Sequence, residues 1–405
     1  MDSHSPLLPW LTLGPALALG AALSLRGNKT TATLLTDGVE VFPKVFELLK
    51  SAKDYVRIAN FIWRGDNIGR ELAEHVLASA DRGVQVQIEK DRVGALYEHG
   101  ESSGESLFHQ NLSLAEILKI QGLRLSLSAA APKYRSYIEE NAILNARLRS
   151  HRNIKVFADR MLKDHSKYFD FDGLHLMLGD TNVGDEYHHD WRTYMVALEG
   201  RDIVHRFYQR RSDAVAFDPS LPIDFIFNSD GRLEIRDLML RQIQEAKSEL
   251  SFQMAYFGDP LITGALATKA PRLGALNLII PREADVQDSL NKRVMREIFE
   301  ASDGRANIFL SPNMSHIKVV QGDRVAVNLG SANATLVSTG YTESNVHLNL
   351  PGSDFTQKLI ENLDHDMKTS RRVASLQDLH YHPLLAACES LVSSLQAGKT
   401  KASVR

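Results

Sequence analysis

Two short constellations in the chain carry residue types that could act on a phosphate. The first is His165-Ser166-Lys167, then four residues, Asp172, six residues, and Gly179-Asp180-Thr181-Asn182. The second is His316-Ile317-Lys318, then four residues, Asp323, six residues, and Gly330-Ser331-Ala332-Asn333. The spacing is identical and the displacement is 151 residues. A lone His-x-Lys means nothing, but two copies at one spacing are the mark of an internal duplication that keeps its chemistry.

Each copy offers an imidazole, an ammonium and a carboxamide, and none of these is an anionic metal ligand. Two such sets facing each other would place two Lys and two Asn donors around one anion, with a His on either side. That suits a phosphodiester, whose developing negative charge needs preorganised donors. One imidazole attacks phosphorus while the other protonates the leaving alcohol. Lysine and asparagine donors replace what a divalent ion would supply, so neither a metal nor another cofactor is expected. His188-His189-Asp190 holds metal-ligand residue types, but no second cluster accompanies it and it reads as a loop.

The elements that position these groups follow from local pattern. His165, Lys167 and Phe169 alternate onto one face of a strand, Asp172-Gly173 turns the chain, and His175 to Leu178 returns it. In the second copy Gly322-Asp323 turns and Arg324 to Leu329 returns. Upstream, Ala52 to Ala59 leads into Asn60-Phe61-Ile62-Trp63, and Ala246 to Gln253 leads into Met254-Ala255-Tyr256-Phe257. Helical patterns precede both, at Phe42 to Leu49 and Leu238 to Ile243. Further strand-like runs recur at Val84 to Ile88 and Leu276 to Ile280, and at Ile154 to Phe157 and Ile308 to Leu310. Strands alternating with helices predict an α/β fold with a mixed sheet in each half. Asp218-Pro219-Ser220-Leu221-Pro222 reads as the linker, which divides residues 31–217 from residues 218–405. The first half holds an extra stretch, about Leu96 to His151, with a helix expected over Ser136 to Arg149.

Composition bounds the rest. In 405 residues, 43% are hydrophobic and 24% charged, as in a folded globular protein. Lys+Arg number 47 against 50 Asp+Glu, a net charge of −3, so no global positive field draws in nucleic acid. One cysteine, Cys388, excludes a disulfide framework and a Cys-rich zinc site. At the N-terminus, Leu7 to Leu25 runs 19 positions without a charge, and Arg26 and Lys29 follow. As a helix it would reach roughly 28 Å, close to a bilayer core. No basic residue precedes it, unlike a signal peptide. Residues 1–30 are therefore expected to be a single membrane anchor, with a cleaved signal on a secreted or periplasmic protein as the alternative.

The paired HxKxxxxD…GxxN pattern resembles the signature of the phospholipase D superfamily, over about Leu35 to Arg372. Asp37-Gly38-Val39-Glu40, Asn60-Phe61-Ile62-Trp63, Arg82-Gly83-Val84 and Tyr256-Phe257 are similar to bacterial cardiolipin synthases and their relatives. The resemblance implies two similar halves, each a mixed sheet flanked by helices, with the active site at a pseudo-twofold interface. It also implies a metal-free reaction through a phosphohistidine. His165 and His316, Lys167 and Lys318, and Asn182 and Asn333 fall on the family's catalytic positions, with His165 the nucleophile by the family's usual order. Asp172 and Asp323 fall on the motif aspartates, read here as turn and strand-pairing supports. Asp190 and Glu343 stand where carboxylates orient the histidines. Two positions depart: Asp180 stands where the second copy has Ser331, and Ser166 where such synthases often have Arg. Tyr256 and Phe257 are expected to line an apolar entrance for lipid. The expected activity is phosphodiester cleavage or transfer on a phospholipid at a membrane, with a nuclease acting on nucleic acid as the alternative.

Overall fold

The computed structural model describes residues 31–101, 106–118 and 137–397. In the first half, β1 (Ala32–Thr36), β2 (Tyr55–Asn60), β3 (Gln85–Lys90), β4 (Ile154–Phe157), β5 (Tyr168–Phe171), β6 (His175–Gly179) and β7 (Tyr194–Glu199) form one sheet, in the order β1-β7-β6-β5-β2-β3-β4. The second half supplies β8 (Ile223–Ser229), β9 (Arg232–Leu233), β10 (Glu249–Met254), β11 (Ala275–Pro281) and β12 (Asn307–Ser311). It continues with β13 (Lys318–Gly322), β14 (Ala326–Gly330), β15 (Glu343–Asn349) and β16 (Arg371–Arg372). Their order is β16-β12-β11-β10-β13-β14-β15-β8-β9. Without the two-residue edge strands β9 and β16, the two orders are the same read from opposite ends. The halves thus share one topology: a parallel trio, β2-β3-β4 or β10-β11-β12, joined to an antiparallel meander.

Three helices start where a side chain takes up the first orphan N–H groups. Asp66 caps Asn67–Asp81, Asp259 caps Pro260–Lys269 with Pro260 at the first turn, and Ser353 caps Asp354–Thr369. Among the described residues four apolar clusters form, the smallest being Phe61, Ile62, Val93, Tyr187 and Tyr341. One lies between the first sheet and helices Asp37–Ser51, Asn67–Asp81 and Ile138–Ser150. The second is its counterpart under the second sheet. The third is shared, with Tyr168, Leu178 and Val196 of the first half against Phe225, Val319, Leu329 and Val346 of the second. The sheets therefore pack face to face, with helices outside. The insertion helix Ile138–Ser150 is part of this body. Leu144 and Leu148 are buried, and Arg147 pairs with Glu74 at 2.6 Å.

Both motif aspartates sit at the turn end of their strands, with the positive φ the turn requires, +56° at Asp172 and +49° at Asp323. Asp172 accepts from the backbone N–H groups of Lys53, Asp54 and Tyr55 at 2.8–2.9 Å. Asp323 accepts from Lys247, Ser248 and Glu249 at 2.8–3.1 Å. Each ties its turn to the loop entering the central strand. The motif glycines serve close approach. A Cβ on Gly179 would lie 2.2 Å from Tyr194 O, and one on Gly330 2.4 Å from Ser344 O.

Two expectations are corrected. The strand predicted to carry His165 and Lys167 starts later, at Tyr168, because the preceding residues leave their own sheet to pair with the other half. The expected membrane anchor is not borne out. Among the described residues no helix is long and apolar enough to cross a membrane, and Leu7 to Leu25 lies outside those residues. The 16-residue helix Asp354–Thr369 would reach only about 24 Å and carries charges throughout.

The turn latch generates a stability prediction. Burial pushes the Asp323 carboxyl up, but the N–H donors of Ser248, Glu249 and Lys247 outweigh it and hold the group at about 2. Asp323→Ala leaves those donors to water and should lower unfolding stability by about 1–3 kcal/mol in urea titrations. In wild type, acid should release the latch only as pH falls from the ordinary carboxylate value toward about 2. An unchanged urea midpoint in the variant would show that the latch contributes nothing.

Candidate active site

Each histidine is held by the opposite half. Asp164 forms a parallel bridge with Thr342, and Ser315 forms one with Arg192. The backbone N–H of His165 donates to Thr342 O and that of His316 to Arg192 O, both at 2.8 Å. The rings are fixed across the same interface. Nδ1 of His165 lies 3.0 Å from Glu343 Oε2, and Glu343 also accepts from Ser331 Oγ at 2.6 Å. Nδ1 of His316 lies 2.9 Å from the main-chain oxygen of Asp180, with Oδ1 of that residue at 3.9 Å. A carbonyl oxygen only accepts, so the His316 proton sits on Nδ1. The carboxylate imposes the same tautomer on a neutral His165, leaving both Nε2 atoms for a substrate.

The donors lie close by. Lys167 and Lys318 are fully buried, and each Nζ donates at 2.6 Å to the carbonyl of the histidine two residues before it. That uses one of three ammonium protons. Asn182 Oδ1 accepts from Ile62 N–H at 3.2 Å, so its amide group is turned inward. Its buried Nδ2, like Oδ1 of Asn333, has no hydrogen-bond partner among the described residues. His165, His316, Asn182 and Asn333 line one cleft between the halves. Aromatic rings form its walls. Phe61 stands edge-on to His165 with centroids at 4.7 Å, and Tyr187 to His316 at 5.2 Å.

Burial sets the charge state. It lowers both imidazoles from their ordinary value. Glu343 partly offsets this at His165, while at His316 the nearby Lys318, Lys167 and His165 charges add to it. Both ammonium groups are lowered by burial, Lys318 to about 8 against the pull of Asp180, Glu343 and Asp285. Asp180 is pushed up to about 7 by burial, although Lys318 and its backbone donors oppose this. The cleft holds cations that a bound anion would stabilise in their charged form.

The structure brings six motif residues together: His165, His316, Lys167, Lys318, Asn182 and Asn333. Glu343 and Ser331 join them. Asp190 does not. It caps the short helix Asp185–His189 away from the cleft, and Asp180 stands by His316 instead. Asp172 and Asp323 are at the far ends of their strands. Tyr256 lines the cleft and donates to Asp285 at 2.6 Å. Phe257 does not line it. It pairs by a bridge with Ala334, and its ring packs on Phe252 in the core, fully buried. Sequence reasoning missed Tyr97, Tyr187, Tyr341 and Asp285 in the walls. Among the described residues no group of three His, Cys, Asp or Glu side chains could hold a metal ion.

A family profile described as "Cardiolipin synthase, PLD-like domain" matches residues 239–367, which enclose the second motif copy. Cardiolipin synthase A of Pseudomonas syringae pv. syringae is 25% identical over 386 residues, covering 89% of this chain and 73% of that protein. The major cardiolipin synthase of Bacillus subtilis is 23% identical, over 89% and 74%. Over most of its length the chain is thus similar to the cardiolipin synthases, and its second half matches their PLD-like domain. The crystal structure of phosphatidylserine synthase from Haemophilus influenzae Rd KW20 has the same fold, at a TM-score of 0.65 and 13% identity, over 93% of this chain and 99% of that one.

The Lys318 ammonium gives the cleft a measurable pH dependence. Sulfate, whose charge is constant near neutrality, should bind the cleft more weakly as pH rises through about 8 and Lys318 loses its proton. Lys318→Arg keeps its charge and should abolish that dependence in calorimetric titration. Affinity in wild type that stays flat across this range would contradict the assignment.

Proposed function

We propose that this chain transfers a phosphatidyl group from a phospholipid to an alcohol or to water through a phosphohistidine intermediate. The observation that carries the reading is the pair of imidazoles with Nδ1 anchored across the halves and Nε2 left to one cleft beside two buried ammonium groups. His165 Nε2 attacks phosphorus. The P–O bond to the first alcohol breaks, and His316, protonated on both ring nitrogens once the anionic phosphodiester is bound, gives its Nε2 proton to that oxygen and keeps its Nδ1 proton on the Asp180 carbonyl. The N-phosphorylated ring of His165 still carries its Nδ1 proton and is cationic, and Glu343 at 3.0 Å takes up that charge. His316 then accepts a proton from the second alcohol or water, whose oxygen attacks phosphorus and breaks the P–N bond. Lys167, Lys318 and Asn182 donate to the non-bridging oxygens as charge develops. The aromatic walls at Phe61, Tyr187, Tyr256 and Tyr341 suit the apolar part of a lipid.

The relatives named cardiolipin synthase make phosphatidylglycerol the first substrate to test. Purified protein should convert it to a cardiolipin-type product or to phosphatidic acid in the presence of EDTA. His165→Ala and His316→Ala should each lower kcat by roughly three orders of magnitude or more, because the two act as a unit. Cleavage of single-stranded DNA with no turnover of phosphatidylglycerol or phosphatidylcholine would overturn the lipid reading. Loss of turnover in EDTA, restored by one specific ion, would overturn the chemistry.

A further inference from the structure

The two halves can be aligned by their backbone bonds rather than by sequence. His165 N–H to Thr342 O matches His316 N–H to Arg192 O. Asp180 N–H donates to Tyr194 O at 3.0 Å, and Ser331 N–H to Ser344 O at 3.1 Å. Gly179 pairs with Met195 across β6 and β7, and Gly330 pairs with Asn345 across β14 and β15. In this register Asp180 is the counterpart of Ser331, and Thr193 is the counterpart of Glu343. The second half carries a hydroxyl in the turn and a carboxylate at the strand start. The first half carries them the other way round.

We infer that Asp180 is the positioning residue of His316, its carboxylate standing in the turn because the strand start that serves His165 holds Thr193 in this half. The shorter side chain explains the different geometry. Glu343 reaches His165 Nδ1 directly at 3.0 Å, steadied by Ser331 Oγ at 2.6 Å. Asp180 is clamped by Tyr194 N–H on Oδ1 at 3.1 Å and Lys318 N–H on Oδ2 at 3.2 Å. Its main-chain oxygen takes the His316 proton, and Oδ1 stays 3.9 Å away as a neighbouring charge. Thr193 is fully buried, and its Oγ1 has no hydrogen-bond partner among the described residues, as befits a hydroxyl whose carboxylate lies elsewhere. The other groups bearing on His316 are Lys318, Lys167 and His165, all cationic when charged, with the rings of Tyr187 and Trp191 at 5.2 and 5.9 Å. Asp180 is the carboxylate that opposes them. Held by a carbonyl rather than by a carboxylate, protonated His316 is the stronger acid of the pair, which fits proton delivery to a leaving alcohol.

The inference rests on the phosphoryl-transfer reading for its purpose but not for its test. Imidazole 15N resonances of His316 report its tautomer and titration in the full chain without substrate. Asp180→Asn removes the ionisable carboxyl and keeps the carbonyl, and should remove from the His316 resonances the coupled step that Asp180, pushed up to about 7, imposes on the ring 3.9 Å away. The exchanged pair Asp180→Ser with Thr193→Glu copies the other half and should hold the titration at the wild-type value or above it. His165 serves as the internal control. Where phosphatidylglycerol is turned over, kcat should fall at least tenfold in Asp180→Asn and in Asp180→Ser, and recover in the exchanged pair. Thermal melts separate misfolding from mispositioning. Identical His316 titration in wild type and Asp180→Asn, or a folded exchanged pair that titrates below wild type, would overturn the inference. The expected titrations without lipid turnover would refute the lipid reading and leave the positioning intact.

Discussion

Each half of the chain completes the other's histidine: Thr342 O and Glu343 hold His165, and Arg192 O and the Asp180 carbonyl hold His316. Most other features of the fold follow from that exchange. Strands β5 and β13 must begin late so that the residues before them can cross. The inner sheet faces must pack closely, which the shared core of Tyr168, Val196, Phe225, Val319 and Leu329 achieves. Polar ties lock the same interface at its rim. Arg192 pairs with Asp366 at 3.0 Å and Lys358 with Glu40 at 2.6 Å.

The crossing also explains how two lysines come to be fully buried. An isolated buried ammonium is unfavourable and tends to lose its proton. Here each is hydrogen-bonded to a carbonyl, and the buried carboxylates Glu343 and Asp180 lie within electrostatic reach. The balance is incomplete, and that suits the chemistry. An arriving phosphodiester supplies the missing negative charge, so substrate binding is coupled to the protonation that catalysis requires.

Much of this was legible in the sequence because it is locally encoded. A turn aspartate that caps one loop, a glycine that lets a strand pass and a fixed strand length force the motif spacing, so the duplication is visible as spacing. Strand order follows from the same repetition. What was not legible arises from contacts between distant segments. Asp190 follows the motif where a carboxylate is expected, yet Asp180 reaches His316, and only the paired strands reveal the exchange with Thr193. Phe257 and Phe61 stand at similar strand ends. The bridge to Ala334 turns one ring into the core, while Phe61 meets His165. Tyr97 reaches the cleft from the extra stretch of the first half, which has no counterpart to betray it.

The central claim is that two cross-held imidazoles act on one phosphodiester with separate roles. Rapid mixing with phosphatidylglycerol, an alkaline denaturing quench that preserves N–P bonds, and peptide mapping by mass spectrometry test it most directly. The account predicts a single phosphatidyl adduct on His165, with none on His316. An adduct on His316, or steady turnover with no covalent species on either ring, would contradict it.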